Sequence, residues 1–331
     1  MQYRQFGNTD LKVSEIGFGA WAIGGAAVVG GVPIGWGPAD DDVSVAALNA
    51  ARVAGINFYD TADFYGLGHS EELIGEVFGN RPDVIIATKV GQKIGADGKI
   101  AIDYTKKYVM AACEASLRRL QRDCIDFYHL HVAKLAHLEQ GECIEAMQLL
   151  QQQGKIRYWG ASLFTFAPDA EGQYLLDNNL GSGFQVVLNL INQKAVHVMQ
   201  AASVKGYGII ARMPLQFGLL SGRIKPTATF SLEDHRSFRL TPNIIQQVLD
   251  VLRTDVEPIA KQYDTSLASL ALSFILGFPE VCTVIPGIRT PQQVKLNTTG
   301  LVKLSEYDMK HLKSLFDSHW QPVMQAIQAQ G

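Results

Sequence analysis

A chain of 331 residues with a formal net charge of −3 is long enough for one large α/β barrel or two medium domains. Its composition, 47% hydrophobic and 18% charged, is that of a globular protein, and the near-neutral balance offers no basic footprint for nucleic acid or an anionic membrane surface. Cys113, Cys124, Cys143 and Cys282 have neither paired nor metal-type spacing, no apolar stretch reaches bilayer length, and Met1-Gln2-Tyr3-Arg4-Gln5 lacks the apolar core of a signal peptide, so a soluble cytoplasmic protein with reduced thiols is expected.

In chain order, residues 2–13 read as a small hairpin turning at Gly7-Asn8-Thr9-Asp10. After it, short apolar runs alternate with amphipathic stretches. The runs are Ile16–Phe18, Ile56–Tyr59, Val84–Val90, Ile125–Val132, Ile156–Ser162, Phe184–Ile191, Gly208–Pro214 and Cys282–Pro286. Helices are expected near Asp41–Ala54, Tyr104–Leu120, Leu138–Gln153, Ala167–Asn178, Ala195–Lys205, Ile244–Gln262 and Ser266–Gly277. Strand and helix repeated about eight times, with strands apolar on both faces, predicts a single (β/α)8 TIM barrel with an N-terminal β-hairpin. No linker or charge block divides residues 1–331, which read as one domain. Two long irregular stretches, Ala22–Ala39 and the insertion from Pro214 to about Thr241, are expected at the C-terminal face as binding loops or lids.

A doubly wound dinucleotide fold is the competing architecture. Gly17-Phe18-Gly19-Ala20-Trp21-Ala22 fits G-x-G-x-x-A straight after a strand. Such a fingerprint must open a helix whose N-terminus meets a pyrophosphate, and Ile23-Gly24-Gly25-Ala26-Ala27 instead continues as a Gly-rich loop. The match is read as a decoy.

In a barrel, catalytic groups come from the C-terminal ends of several strands. Strand two ends in Asp60 with Tyr65 on its loop, strand three ends in Lys89, and strand four ends in His131. A rim lysine can snorkel and a rim histidine can be a satisfied surface group, yet three such groups on consecutive strands point to chemistry. A phenol with an ordinary pKa of about 10 donates its proton poorly at neutral pH. An adjacent ammonium favours the phenolate, a carboxylate holds that ammonium in place, and an imidazole orients a carbonyl oxygen. Asp60, Tyr65, Lys89 and His131 thus suit polarising a C=O while its carbon is attacked.

The chain resembles the aldo-keto reductase superfamily along nearly its whole length. The matching motifs are Gly55-Ile56-Asn57-Phe58-Tyr59-Asp60-Thr61-Ala62 with Tyr65, Gly68-His69-Ser70-Glu71, Ala87-Thr88-Lys89, Asp126-Phe127-Tyr128-His129-Leu130-His131 and Gly160-Ala161-Ser162. Pro214-Leu215 with Gly218-Leu219-Leu220-Ser221-Gly222, then Ile285-Pro286-Gly287-Ile288-Arg289, complete them. The resemblance implies a catalytic tetrad of Asp60, Tyr65, Lys89 and His131, with Tyr65 as general acid in reduction and base in oxidation. It also implies an NAD(P)(H) cofactor bound in extended form without a Rossmann domain. Contacts to that cofactor are expected from Trp21, Ser162, Gln185, Arg212, Pro214 and Leu215, and further from Gly218, Gly287, Arg289, Gln293 and Asn297.

Three positions depart from the family pattern. The Ser-Asn pair that holds the carboxamide is Ser162-Leu163, which leaves more of that task to Gln185. The aromatic that commonly stacks on the nicotinamide is Arg212, and the Trp that often follows the strand-four histidine is Val132, which widens the pocket. NADP(H) is expected over NAD(H): Thr290 and Pro291 begin a helix, so Arg289 and the helix amides would meet a 2′-phosphate, and Gln293 and Asn297 share one helix face. Gly287 stands where some relatives carry lysine.

Two other functions compete with this reading. His129-Leu130-His131 puts two imidazoles on one strand face, but a metal-dependent hydrolase needs further ligands and strands five and six carry none, so no metal is expected. Some members of the superfamily are channel-associated or regulatory subunits that bind cofactor with little turnover; an intact tetrad alone does not separate these from enzymes. A small carbonyl or sugar substrate, no nucleic acid and no membrane partner are expected, with oligomeric state unreadable. Trp21, Trp36, Phe64 and Phe164 are candidates for an aromatic pocket.

Overall fold

A computed structural model describes residues 1–231 and 234–330; the portion of the expected 214–241 insertion at 232–233 and the last residue of the expected domain lie outside the described residues. Eight parallel strands form the central sheet: β1 (Phe18–Gly19), β2 (Phe58–Asp60), β3 (Ile85–Val90), β4 (Ile125–His131), β5 (Ile156–Ser162), β6 (Gly183–Val187), β7 (Gly208–Arg212) and β8 (Val281–Ile285). They neighbour one another in chain order, and the parallel bridges Ile16–Val284 and Gly19–Gly287 bring β8 back to β1. This is the expected (β/α)8 barrel. Gly19 is required at the closing seam, where an added Cβ would lie 2.9 Å from the Pro286 carbonyl oxygen.

The barrel interior follows from the two-residue period of a strand. Ile85 and Ala87 of β3, Phe127 of β4, Ile210 of β7 and Ile285 of β8 point inward and pack with Phe6, Leu11 and Val13. The hairpin Tyr3–Gln5 with Lys12–Ser14 delivers those three residues and closes the N-terminal end. The Phe6 ring meets Phe127 edge-on at 5.0 Å. Opposite strand faces pack under the surrounding helices in a second, larger core, the arrangement that makes parallel strands apolar on both sides.

Several elements differ from the sequence reading. Helices His69–Phe78, Glu306–Leu315 and Gln321–Gln328 were not anticipated, and neither were the hairpins Val28–Val29 with Val32–Pro33 and Gln92–Ile94 with Ile100–Ile102. The first helix starts at Gly68, a left-handed residue with no capping side chain, so the usual N-terminal signal is missing. The helix expected over Leu138–Gln153 is two, Leu135–Gln140 and Glu142–Gln152, parted at Gly141 (φ 79°). The strand expected over Phe184–Ile191 stops at Val187. Past Gly19 the chain makes only a four-residue turn, Trp21–Gly24, so the glycine motif opens no α-helix.

Candidate active site

β2, β3 and β4 lie side by side, with Asp60 opposite Ala87 and Lys89 opposite His129, so their C-terminal ends converge. Lys89, on the inward face two residues beyond Ala87, is 0% exposed. Its ammonium donates to Asp60 Oδ1 (2.6 Å), the Thr61 carbonyl (2.7 Å) and Tyr65 Oη (3.1 Å), which uses all three of its protons. Burial opposes the charge, but the Asp60 carboxylate and the Tyr65 oxygen outweigh it and hold the Lys89 pKa above the ordinary lysine value. Burial raises the Asp60 pKa despite the Lys89 ammonium and the Gln185 amide; the 2.6 Å contact with a lysine whose own pKa is raised makes the two an ion pair.

Gln185 on β6 donates its amide to Asp60 Oδ2 (2.6 Å) and accepts from Ser162 Oγ (3.4 Å), so both of its ends are engaged inside the acid cluster. The motif Gly68-His69-Ser70-Glu71 acquires a role. Thr61 donates to Ser70, Ser70 donates to the Ala20 carbonyl, and Glu71 accepts from Thr88 and Arg119. These bonds rivet the ends of β1, β2 and β3 around Lys89. Gly24 and Gly66 approach so closely that a Cβ on Gly66 would lie 2.1 Å from the Gly24 oxygen. That contact seats the Trp21 ring in a stack with Tyr65 (6.0 Å between centroids, 21° between planes).

His131 meets the Tyr65 ring edge-on at 6.0 Å, and its carbonyl accepts from Tyr104. Burial, aided by the Lys89 ammonium and the Arg212 guanidinium, holds its pKa well below the ordinary imidazole value, so the ring is neutral. Its buried Nδ1 has no partner. His129 is different: it is wholly buried against Phe127 (4.7 Å), with neither ring nitrogen hydrogen-bonded. It is the packed histidine anticipated, and among the described residues no group of three or more His, Cys, Asp or Glu side chains is placed to hold a metal ion.

A cavity of about 970 Å³ opens above the cluster. Asp60, Tyr65 and His131 reach its wall, with Lys89 behind them. Of the expected cofactor contacts, Trp21, Gln185, Arg212, Pro214, Leu215, Gly218, Gly287, Arg289 and Gln293 line it, whereas Ser162 and Asn297 are buried and are not among the lining residues. The aromatic candidates Trp36, Phe64 and Phe164 line it too. Thr290 caps the helix Pro291–Thr298 as expected, and Gln293 Oε1 accepts from the Arg289 amide (2.8 Å).

Arg212, at the end of β7, donates through Nη2 to the Leu163 carbonyl and to Thr165 Oγ1 (both 3.1 Å), and its buried Nε has no partner. Backbone strain gathers around the same rim: Leu67, Val132, Met213, Gln216 and Phe217 all have positive φ. Val132, with φ 64°, is a β-branched residue in the left-handed region, a costly conformation that turns the chain sharply after His131.

The two long loops join across the mouth through an antiparallel bridge between Trp36 and Asp234. His235 sits edge-on to Trp21 at 5.3 Å, with burial and the neighbouring Arg239 pushing its pKa down to about 4. Arg236 pairs with Asp234 (2.6 Å) and lies over the rings of Phe230 and Trp36. No sequence signal singled out His235, Arg236 or Arg239, because a loop has no periodicity to say which residues face a cavity.

The geometry is matched by relationship. Residues 15–317 fit the description of the Aldo/keto reductase family. The chain belongs to the aldo/keto reductase family. Relatives include L-galactose dehydrogenase of Arabidopsis thaliana, 30% identical over 93% of this chain and 91% of that one. The NADH-specific methylglyoxal reductase of Escherichia coli is 26% identical over 94% and 97%. Among solved structures, the glycerol dehydrogenase of Gluconobacter oxydans superposes with a TM-score of 0.80 at 28% identity, covering 96% of this chain and 95% of that one. Aldo/keto reductases are oxidoreductases that use nicotinamide cofactors. No helix of the described residues is long and apolar enough to cross a membrane.

Proposed function

We propose that this aldo/keto reductase interconverts a carbonyl and an alcohol by hydride transfer, with Tyr65 as general acid in reduction and general base in oxidation. The observation that carries the reading is the saturated Lys89 ammonium, which donates to Tyr65 Oη while that phenol faces the cavity. An ammonium donating to a phenolic oxygen stabilises the phenolate left when the proton departs, so Tyr65 can release its proton to a carbonyl oxygen as charge develops there. Asp60 fixes the ammonium and Gln185 fixes Asp60. Neutral His131 donates to the same carbonyl oxygen without competing for its proton. Tyr65 is then reprotonated from solvent.

A bound nicotinamide would supply the hydride that attacks the carbonyl carbon. The cavity fits such a group: it is larger than a small carbonyl needs, and the Gln185 amide and the Arg212 side chain belong to its lining. The stretch Pro214–Gly218 and the helix start at Arg289 and Gln293 would hold the remainder. NADP(H) is favoured over NAD(H) because the Arg289 guanidinium and the capped helix N-terminus both suit a phosphate dianion.

The mouth favours apolar carbonyls. Val32, Ile100, Ile102, Phe164 and Phe238 are exposed large hydrophobics that line the cavity, and burying such a rim under a ligand is where affinity comes from. A panel of aromatic and aliphatic aldehydes, ketones and aldoses, followed by oxidation of NADPH, tests both readings. Aromatic and longer aliphatic aldehydes should give the highest kcat/KM; turnover of aldoses alone would overturn the substrate assignment, and turnover of nothing would overturn the activity.

A further inference from the structure

Charges at the inner end of the cavity nearly cancel. Lys89 and Asp60 offset one another, His131 is held neutral, and Gln185 and Ser162 are uncharged. One charge is left over. Arg212 is held by a carbonyl, a hydroxyl and the Met213 sulfur, its Nε is buried without a partner, and no salt bridge to it occurs among the described residues. It shares the cavity wall with Tyr65 and His131, and its charge is one reason the His131 imidazole resists protonation.

We infer that Arg212 biases the site between the redox states of its cofactor, holding the reduced nicotinamide more tightly than the oxidised one. The inference rests on the proposed nicotinamide site. In reduction a bound dihydronicotinamide would give a hydride to the carbonyl carbon while Tyr65 gives a proton to the oxygen, and the nicotinamide ring would be left with a positive charge. Because the ring would have to reach a carbonyl held at Tyr65, that charge would form in the part of the cavity that Arg212 also lines. Two like charges within a ring's reach, in a partly buried site, change a binding constant on the order of 10-fold. An aromatic side chain in the same place would do the reverse, since a π face attracts a cation. Arg212 therefore speeds release of the oxidised cofactor after reduction, and in the enzyme-bound equilibrium it favours carbonyl with reduced cofactor.

The test is a set of Kd measurements for NADPH and NADP⁺, without substrate and at one ionic strength, by titration calorimetry on the full chain and its Arg212→Gln, Arg212→Tyr and Arg212→Lys variants. In the wild type, Kd for NADP⁺ should exceed Kd for NADPH on the order of 10-fold. The ratio should fall toward one in Arg212→Gln, fall further in Arg212→Tyr and persist in Arg212→Lys. A wild-type ratio near one, which needs no variant to read, overturns the inference, as does a ratio unchanged in Arg212→Gln with both affinities weakened alike. If the wild type bound neither form, the nicotinamide reading would fall and the inference with it; binding of both with equal affinity would remove the inference alone.

Discussion

The two ends of the barrel are both lined with charge, and they use it differently. At the N-terminal end, Asp126 accepts from Arg122, from Arg157 (2.8 Å) and from the Ile86 amide, while Arg122 also donates to the carbonyls of Gly79, Arg81 and Val84. Arg157 turns its other nitrogen to Asp10, which the Tyr158 hydroxyl also meets. Each of these groups is engaged from several sides by protein. At the C-terminal end the Lys89–Asp60 pair is just as complete, but Tyr65, His131 and Arg212 line a cavity in which a ligand can meet them. A buried polar group with all its partners supplied is structural; one whose missing partner faces a cavity is waiting for a ligand.

Breaking each end should therefore damage a different property. Tyr65→Phe removes the proton donor alone: kcat for carbonyl reduction should fall about 10²–10⁴-fold, with NADPH affinity and melting temperature preserved. Retention of more than about a tenth of wild-type kcat, with the chemical step rate-limiting, would take the acid role from Tyr65. Arg122→Met leaves the Asp126 carboxylate with Arg157 and the Ile86 amide but takes the donor from three carbonyls, and should cost about 1.5–3 kcal/mol in denaturant unfolding while kcat/KM of the folded protein is unchanged. A kinetic defect as large as the stability loss would erase the contrast between the ends.

Arg289→Ala should raise Kd for NADPH about 10- to 100-fold, the worth of about 1.5–3 kcal/mol for one charged hydrogen-bonding partner, and barely alter Kd for NADH. Equal losses for both cofactors would remove Arg289 from the phosphate site. The smallest effect is on the pH dependence of stability. His129 and His131 have folded pKa values well below that of an unfolded histidine, about 6.5. The unfolded chain then binds the extra protons, so stability is whole above pH about 6.5 and declines as pH falls below it, by up to about 1.4 kcal/mol per pH unit for each ring. His129→Leu should flatten that decline in melting temperature between neutral and mildly acid pH and leave activity in place. An unchanged slope would mean that His129 is protonated in the fold.

The barrel was legible because its strands, buried on both faces, read as apolar runs between helical stretches. Asp60, Lys89 and His131 were legible because each interrupts such a run at the end where loops meet. Tyr65 could be placed beside them because only four residues separate it from Asp60. What escaped was whatever depends on distant segments meeting. The clamp of Gln185 on Asp60 spans 125 positions, and the bridge between Trp36 and Asp234 joins loops with no pattern of their own. Helix His69–Phe78 escaped because a left-handed glycine, with no polar cap, starts it.

The most direct measurement supplies the enzyme with NADPH carrying deuterium at the transferable C4 position, together with the aldehyde it turns over best. Deuterium recovered at the carbinol carbon of the product with wild-type protein, and about 10²–10⁴-fold less in the same time with Tyr65→Phe, is the expected result. Tight cofactor binding with no label passed to any aldehyde, ketone or sugar would contradict a catalytic role for this site.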